Sequence, residues 1–299
     1  MIDLVIEARR KNLGNFEVGR VLPFHAHRMV GPFTFLDHMG PATFQPGFAK
    51  DADVRPHPHI GLSTLTYLFE GEITHRDSVG SLAVIKPNEV NWMTAGSGIT
   101  HSERFEGLRA HGGRMDGMQA WIALPKEYEE IDPSFTHHEG PADLPYYEEG
   151  GLKARLIAGE AFGAKSNVPV YSPLFYVHWE LEPGTTAALP AEYSERAAYV
   201  AEGRVEVDGR ELTTAQMAVF APGDTVVFKA LERSTVMLMG GEPVGPRFIE
   251  WNFVSSSKDR IEQAKADWRS GRMKLPDADH DEFIPLPDEP PPAQANPMS

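Results

Sequence analysis

From about residue 16 to 250 the apolar positions come in short runs rich in Val, Leu, Phe, Tyr and Thr, broken repeatedly by Gly or Pro. Short apolar runs bounded by turn formers predict strands, and many such strands in succession predict an all-β sandwich or barrel. The clearest runs are Leu65 to Phe69, Ala83 to Ile85, Met118 to Ile122, Phe175 to Trp179, Val205 to Val207 and Thr235 to Met239. One helical pattern stands out late in the chain. Ser256 and Ser257 offer an N-terminal cap, Asp259 puts an acid in the first turn, and Ile261, Ala264, Ala266 and Trp268 form the expected apolar stripe. Gly271 sits where a C-terminal cap belongs. Beyond it, 276–299 holds six acids, seven prolines and no Lys or Arg. That composition cannot bury enough apolar surface to offset its ordering entropy, so the tail is expected to be disordered or to lie extended on the surface.

A weak internal repeat divides the strand-rich region. Tyr67-Leu68-Phe69-Glu70-Gly71 matches Tyr199-Val200-Ala201-Glu202-Gly203, and Ile85-Lys86-Pro87-Asn88-Glu89 matches Phe220-Ala221-Pro222-Gly223-Asp224. At 299 residues the chain exceeds the usual size of one domain, roughly 100 to 200 residues. The expectation is therefore a first unit over 1–130, a linker region over 131–165 (its acidic, Pro-interrupted part within 125–145), a second unit over 166–254, a helix over 255–274 and the tail over 275–299.

Charge and composition narrow the function classes. A net charge of −15, from 43 acids against 28 bases, repels phosphate backbones and argues against direct nucleic-acid binding. No stretch approaches the roughly 20 apolar residues that span a bilayer, and the first residues do not read as a signal peptide. A protein of the cytoplasm, without a membrane partner, is the expectation. With no Cys in the chain, disulfides and thiolate ligation are excluded.

The candidate chemistry is a ligand set. His57-Pro58-His59 and His101-Ser102-Glu103 are two pairs with i, i+2 spacing, which places both members of a pair on one face of a strand. Two such strands side by side present three imidazoles and a carboxylate to a single ion, a set that suits Fe, Mn, Ni, Cu or Zn. A His-x-His pair alone is weak, since twelve His in this chain produce about 0.5 such pairs by chance, and His25-Ala26-His27 is a second one. Context adds the weight. A Pro-rich lead, a β-run, a Pro87 corner and the Gly96-Ser97-Gly98 turn follow in the order a jelly roll needs to bring separated strands together.

Other polar residues carry weaker expectations. His75 and Asp77 are candidate pocket residues on what reads as a solvent-facing hairpin, and Gln119 is a candidate substrate contact. Trp92, Met93 and Trp121 are expected to pack the barrel, and His25, His27 and His38 to make structural polar contacts. His137 and His138 are expected to be solvated, and His178 to be an interior packed histidine. Carried by the repeat, the four ligand positions fall on Leu189, Ala191, Val236 and Leu238, so the second half is expected to be a metal-free copy.

Taken together, His57-Pro58-His59-Ile60-Gly61, Tyr67 to Gly71, His75 to Ser78, Trp92 to Glu103 and Gln119-Ala120-Trp121 resemble the pirin family of bicupins, with Gly31 to Pro41 resembling that family's entry. The resemblance covers about residues 20 to 125 closely. It implies two tandem jelly-roll (cupin) barrels, with non-haem Fe(II), or another first-row divalent ion, held by His57, His59, His101 and Glu103. It also implies a dioxygenase related to quercetin 2,3-dioxygenase, taking a small phenolic substrate and dioxygen, in which Glu103 would be the catalytic base as well as a ligand. A second implied reading is a non-catalytic, iron-dependent redox sensor that binds a regulatory protein partner. Common cupins place a carboxylate ligand soon after the His-x-His pair; this chain has Ser63, Thr64 and Leu65 there, and Glu103 takes that role in the pirin pattern.

Overall fold

Strands dominate the computed structural model, which describes residues 1–12 and 17–287, and each of the six strongest apolar runs lies within a strand. The all-β expectation holds. Among the described residues no helix is long and apolar enough to cross a membrane.

Packing divides the chain into two units that are not contiguous in sequence. One, the histidine unit, comprises Lys11–Val18, Leu36–His137 and Val244–Ser299; the other, the apolar unit, comprises Met1–Arg10, Gly19–Phe35 and His138–Pro243. The contiguous ranges expected from sequence therefore differ from the packed units at both ends. The strand Ile2–Glu7 pairs antiparallel with Gln216–Phe220, burying Ile6, so the first residues complete the later unit's sheet. The 131–165 span is not a linker but holds the strands Ser134–His138, Tyr146–Glu149 and Leu152–Ala161. Ser134–His138 and Tyr146–Glu149 end their sheets, and these edge strands are rich in polar residues and lack the strong apolar alternation that would announce them.

In the histidine unit a small sheet runs in the order Val54–His59, Ile99–Arg104, Ile73–Asp77, Leu82–Ile85. A larger sheet contains Ser134–His138, Val90–Thr94, Leu62–Glu70, Gly113–Ala123 and Phe33–Phe44 as successive neighbours. The apolar unit repeats this plan: its small sheet is Thr186–Leu189, Val226–Ala230, Arg204–Val207, Arg210–Thr213, and its larger one contains Ile2–Glu7, Gln216–Phe220, Glu195–Glu202, Ser234–Gly241 and Leu174–Leu181. The repeated Gly71 and Gly203 end equivalent strands, both at φ +88°, a conformation that favours glycine.

Equating the two small sheets by register corrects the sequence alignment. His59 opposes Ile99 and His57 opposes His101, while Leu189 opposes Val226 and Ala187 opposes Phe228. The ligand positions therefore correspond to Ala187, Leu189, Phe228 and Ala230, not to Leu189, Ala191, Val236 and Leu238. A constant offset failed because the connections between strands differ in length. All four equivalents are apolar and buried in one core cluster.

The small sheets differ in how many faces they bury. Val226–Ala230 alternates buried and exposed residues, with Val227 and Lys229 outward, the signature of a half-buried strand. In Val54–His59 and Ile99–Arg104 burial is nearly continuous, because the C-terminal segment covers the second face. Phe253 bridges Ile60, and a Cβ on Gly61 would stand 2.0 Å from the Val254 carbonyl oxygen. Helix Lys258–Arg269, capped by the Ser257 hydroxyl accepting from the Arg260 amide at 3.4 Å, packs Ile261, Ala264 and Trp268 against Ile60 and Phe253. Ala266, expected on that stripe, is exposed; Lys265 takes the buried position at helical spacing, its ammonium 2.9 Å from Glu250.

Of the two forms expected for the tail, residues 276–287 take the extended one. They carry no helix or strand, yet the Ile284 amide donates to the Pro56 carbonyl at 2.8 Å and Leu286 is buried beside Trp268. Residues 288–299 lie outside the described residues.

Candidate metal centre

Pairing of Val54–His59 with Ile99–Arg104 sets His57 opposite His101 and brings three buried imidazoles together. The ring centroids of His57 and His101 are 4.4 Å apart, those of His57 and His59 5.0 Å, and those of His59 and His101 5.1 Å. One nitrogen from each ring lies within 4.8 Å of the other two.

Hydrogen bonds fix which nitrogen faces inward. The Nδ1 of His57 donates to the Arg55 carbonyl at 2.9 Å, and the Nδ1 of His59 to the Asn252 carbonyl at 3.0 Å, since a carbonyl only accepts. Each ring therefore keeps a lone pair on Nε2. His101 Nε2 is buried and makes no hydrogen bond among the described residues. An orphaned buried nitrogen beside two other imidazoles is costly unless an ion takes its lone pair, so the residues fit a metal. Charge state agrees. Desolvation, partly offset by the Arg55 carbonyl and reinforced by His75, lowers His57 to about 4. Desolvation and the neighbouring imidazoles hold His59 and His101 well below the usual histidine value. All three are neutral near pH 7, as ligands must be.

Glu103 stands apart from the tight group of three nitrogens. The register of the His101 strand shifts against Val54–His59 between His101 and Glu103, so Glu103 opposes Val54. It is half-buried, and desolvation, countered in part by the Thr66 hydrogen bond, pushes its carboxyl up to about 7. Against Ile73–Asp77 the register is regular, with His101 opposite Asp77 and Glu103 opposite His75.

His75 and Asp77 are both buried, contrary to the solvent-facing expectation. The hairpin is covered: Phe135 stacks on the His75 ring at 4.3 Å and 15°. His75 Nε2 lies 2.9 Å from Asp77 Oδ2, and His75 Nδ1 lies 3.4 Å from His101 Nδ1. Gln119 is also buried, its Oε1 accepting from the Thr66 hydroxyl at 2.8 Å, and Trp121 sets its ring edge-on to His59 at 5.0 Å. Trp92 and Met93 pack as expected, with Trp92 Nε1 donating to Thr94.

The remaining histidines lie elsewhere. His38 is buried and 2.7 Å from Asp116, His25 is exposed, and His178 is interior. The solvated state expected of His137 and His138 does not hold. His137 Nδ1 is 2.7 Å from Asn91 Oδ1, and His138 is buried 3.3 Å from Asp143, because this stretch is a sheet strand. Sequence reasoning missed Asn252 and Phe135, whose roles rest on a carbonyl and a stacking face; neither leaves a local signal. The i, i+2 spacing of His75 and Asp77 did offer one.

Behind the same strand, side chains alternate to the other face. Ser102 donates to Asp279 at 2.6 Å, and Arg104 donates to it through two nitrogens at 2.7 and 2.8 Å. An open cleft of about 280 Å³ there is lined by Arg76, Arg104, Arg109, Asp279 and Glu282 among others, and is distinct from the imidazole group.

Comparison with known proteins decides the family. The description "Pirin" matches residues 15–122 and "Pirin C-terminal cupin domain" matches residues 176–274. A pirin-like protein of Caulobacter vibrioides is 91% identical over 288 residues, covering 96% of this chain and all of its own length. This chain belongs to the pirin family. Pirin-1 of Arabidopsis thaliana is 33% identical over 255 residues, with 82% of this chain and 84% of that one covered. Among solved structures, quercetin 2,3-dioxygenase from Acinetobacter baumannii matches with TM-score 0.89 and 33% identity, covering 98% of this chain and 97% of that chain. The pirin assignment makes the two units cupin domains, and the paired sheets described above are their jelly-roll barrels.

Proposed function

We propose that this pirin is a non-haem iron dioxygenase acting on a flavonol or another phenolic, with His57, His59, His101 and Glu103 as the ligands of Fe(II). The observation that carries the reading is the trio of neutral, buried imidazoles with His101 Nε2 left unpartnered. Likeness to the Acinetobacter baumannii quercetin 2,3-dioxygenase across nearly the whole chain supports the substrate class. When bound, a divalent ion with four protein ligands supplies Lewis acidity toward a hydroxyl and open positions for substrate and dioxygen.

The protein's own residues prepare the site for that chemistry. Arg55 and Asn252 carbonyls aim two of the imidazoles, and Trp121 closes the side of His59. Glu103, on the His101 strand and hydrogen-bonded by Thr66, would serve as ligand and as the base that takes the proton of a phenolic hydroxyl. Thr66 contacts both Glu103 and Gln119 and so ties the two side chains together.

The test is oxygen consumption by Fe(II)-loaded protein given quercetin, compared with a His101→Ala variant. Uptake by the wild type that disappears in the variant is the expected result. Equal uptake by the two, or none with a panel of phenolics, removes the oxygenase assignment.

A further inference from the structure

His101 differs from the other two imidazoles in what stands behind it. His57 and His59 donate to neutral backbone carbonyls, whereas His101 contacts a second histidine that contacts a carboxylate. Asp77 is locked in place, its Oδ1 accepting from the amides of Val79 at 3.1 Å and Ser81 at 2.9 Å, which leaves Oδ2 for His75. The His75 ring is clamped against Phe135. Asp77 and His75 are buried to 1% and 4% exposure, so no water competes for these contacts.

From this geometry we infer that Asp77 and His75 are positioning residues that set the tautomer and aim of His101, an inference that rests on the metal-site reading. An ionised carboxylate only accepts, so His75 Nε2 must donate to Asp77. With its proton on Nε2, the His75 ring in this tautomer presents Nδ1 as an acceptor for His101 Nδ1–H, 3.4 Å away. That assignment leaves the His101 lone pair on Nε2, the buried atom that has no protein partner. Three residues in a row thus convert the ionisation of Asp77 into an inward-facing lone pair 24 positions along the chain. Because this chain ends in a negative charge, His101 is also the most electron-rich of the three imidazoles.

The substitution Asp77→Asn makes the inference testable, because it should reverse the sequence of donors. The two turn amides are donors and will claim the Asn oxygen, turning the side-chain NH2 toward His75 Nε2. His75 must then carry its proton on Nδ1 and donate to His101 Nδ1, which forces the His101 proton onto Nε2, facing the metal position. A wrong tautomer in an otherwise intact site is disabling. In His75→Phe, which keeps the stack on Phe135, His101 loses its partner and populates both tautomers, a milder defect.

The experiment has two readouts. Imidazole 15N chemical shifts of the metal-free protein at neutral pH are expected to show the Nδ1–H form of His101 in wild type and the Nε2–H form in Asp77→Asn. Calorimetric titration with Zn(II) is expected to show affinity reduced about 10- to 100-fold in Asp77→Asn, and less in His75→Phe. A merely structural role gives the opposite order, since Asn is isosteric with Asp and Phe is not with His. If wild type and Asp77→Asn bind Zn(II) equally and share one His101 tautomer, the inference is overturned. If wild type itself takes up no Zn(II), the metal-site reading is what fails, and the 15N shifts still decide the tautomer. Should Asp77→Asn not fold, the His75→Phe spectrum decides instead: an unchanged, single Nδ1–H tautomer overturns the inference.

Discussion

In the histidine unit, paired strands carry His57, His59 and His101 into a barrel; in the apolar unit, the equivalent strands carry Ala187, Leu189 and Phe228 into a barrel of the same strand order. The Phe228 ring lies edge-on to Trp179 at 5.5 Å and to Phe220 at 5.9 Å, so the space is filled by dispersion contacts. The imidazoles do not fill theirs in that way, and one of them leaves a buried nitrogen unpartnered. One architecture therefore supports two solutions to a barrel interior, one closed by apolar packing and one lined by imidazoles. The difference shows that packing alone suffices to close a barrel of this strand order.

The comparison breaks most sharply at Phe228. Phe228→Ala should destabilise the protein by about 3–5 kcal/mol in chemical unfolding, as large aromatic deletions do, while Zn(II) affinity stays at the wild-type value. Loss of Zn(II) binding with it would show the units to be coupled and the contrast false. The mirror experiment is His101→Ala. It should weaken Zn(II) binding by more than the roughly 10- to 100-fold typical of an outer hydrogen-bond partner. Chelation should then lower the melting temperature of the wild type and leave that of the variant unchanged, because only an ion that binds the folded state stabilises it.

A pH series sharpens the contrast from the side of the apolar unit. Desolvation, with Arg155 adding to it, lowers buried His178 to about 3. Between pH 6.5 and 3 the unfolded chain binds a proton that the folded state refuses, so stability falls as pH drops through that window and is unaffected above it. The slope is up to about 1.4 kcal/mol per pH unit for this one group, and His178→Leu should remove it in urea titrations at pH 5 and 7. The smallest effect is expected at the tail. Asp279→Ala breaks half-buried, charge-assisted bonds to Ser102 and Arg104, a loss of about 1–3 kcal/mol, read as faster proteolysis of the C-terminal segment.

Much of this was legible in the sequence, for identifiable reasons. Strands with apolar runs such as Leu65 to Phe69 announced themselves, as did the capped helix, because alternation and capping are local signals. The His-x-His and His-x-Glu spacings gave the candidate ligands because period-two geometry is equally local. What failed depends on distant chain. Strand Ile2–Glu7 joins a sheet formed some 200 residues later, edge strand Ser134–His138 reads as polar linker, and His75 is covered by Phe135 from 60 residues away. The repeat aligned Gly71 with Gly203 correctly and then drifted, since nothing in composition records how loop lengths differ.

A β-strand is a two-sided object, and the strand bearing His101 and Glu103 bears Ser102 and Arg104 on its reverse. The acidic stretch gripping that reverse, at Asp279, and the main chain of its neighbour, at Pro56, acts as a splint on both ligand strands at once. Residues nearly two hundred positions beyond the histidines thereby hold the strands that carry them, so trimming what looks like a dispensable terminus would loosen both.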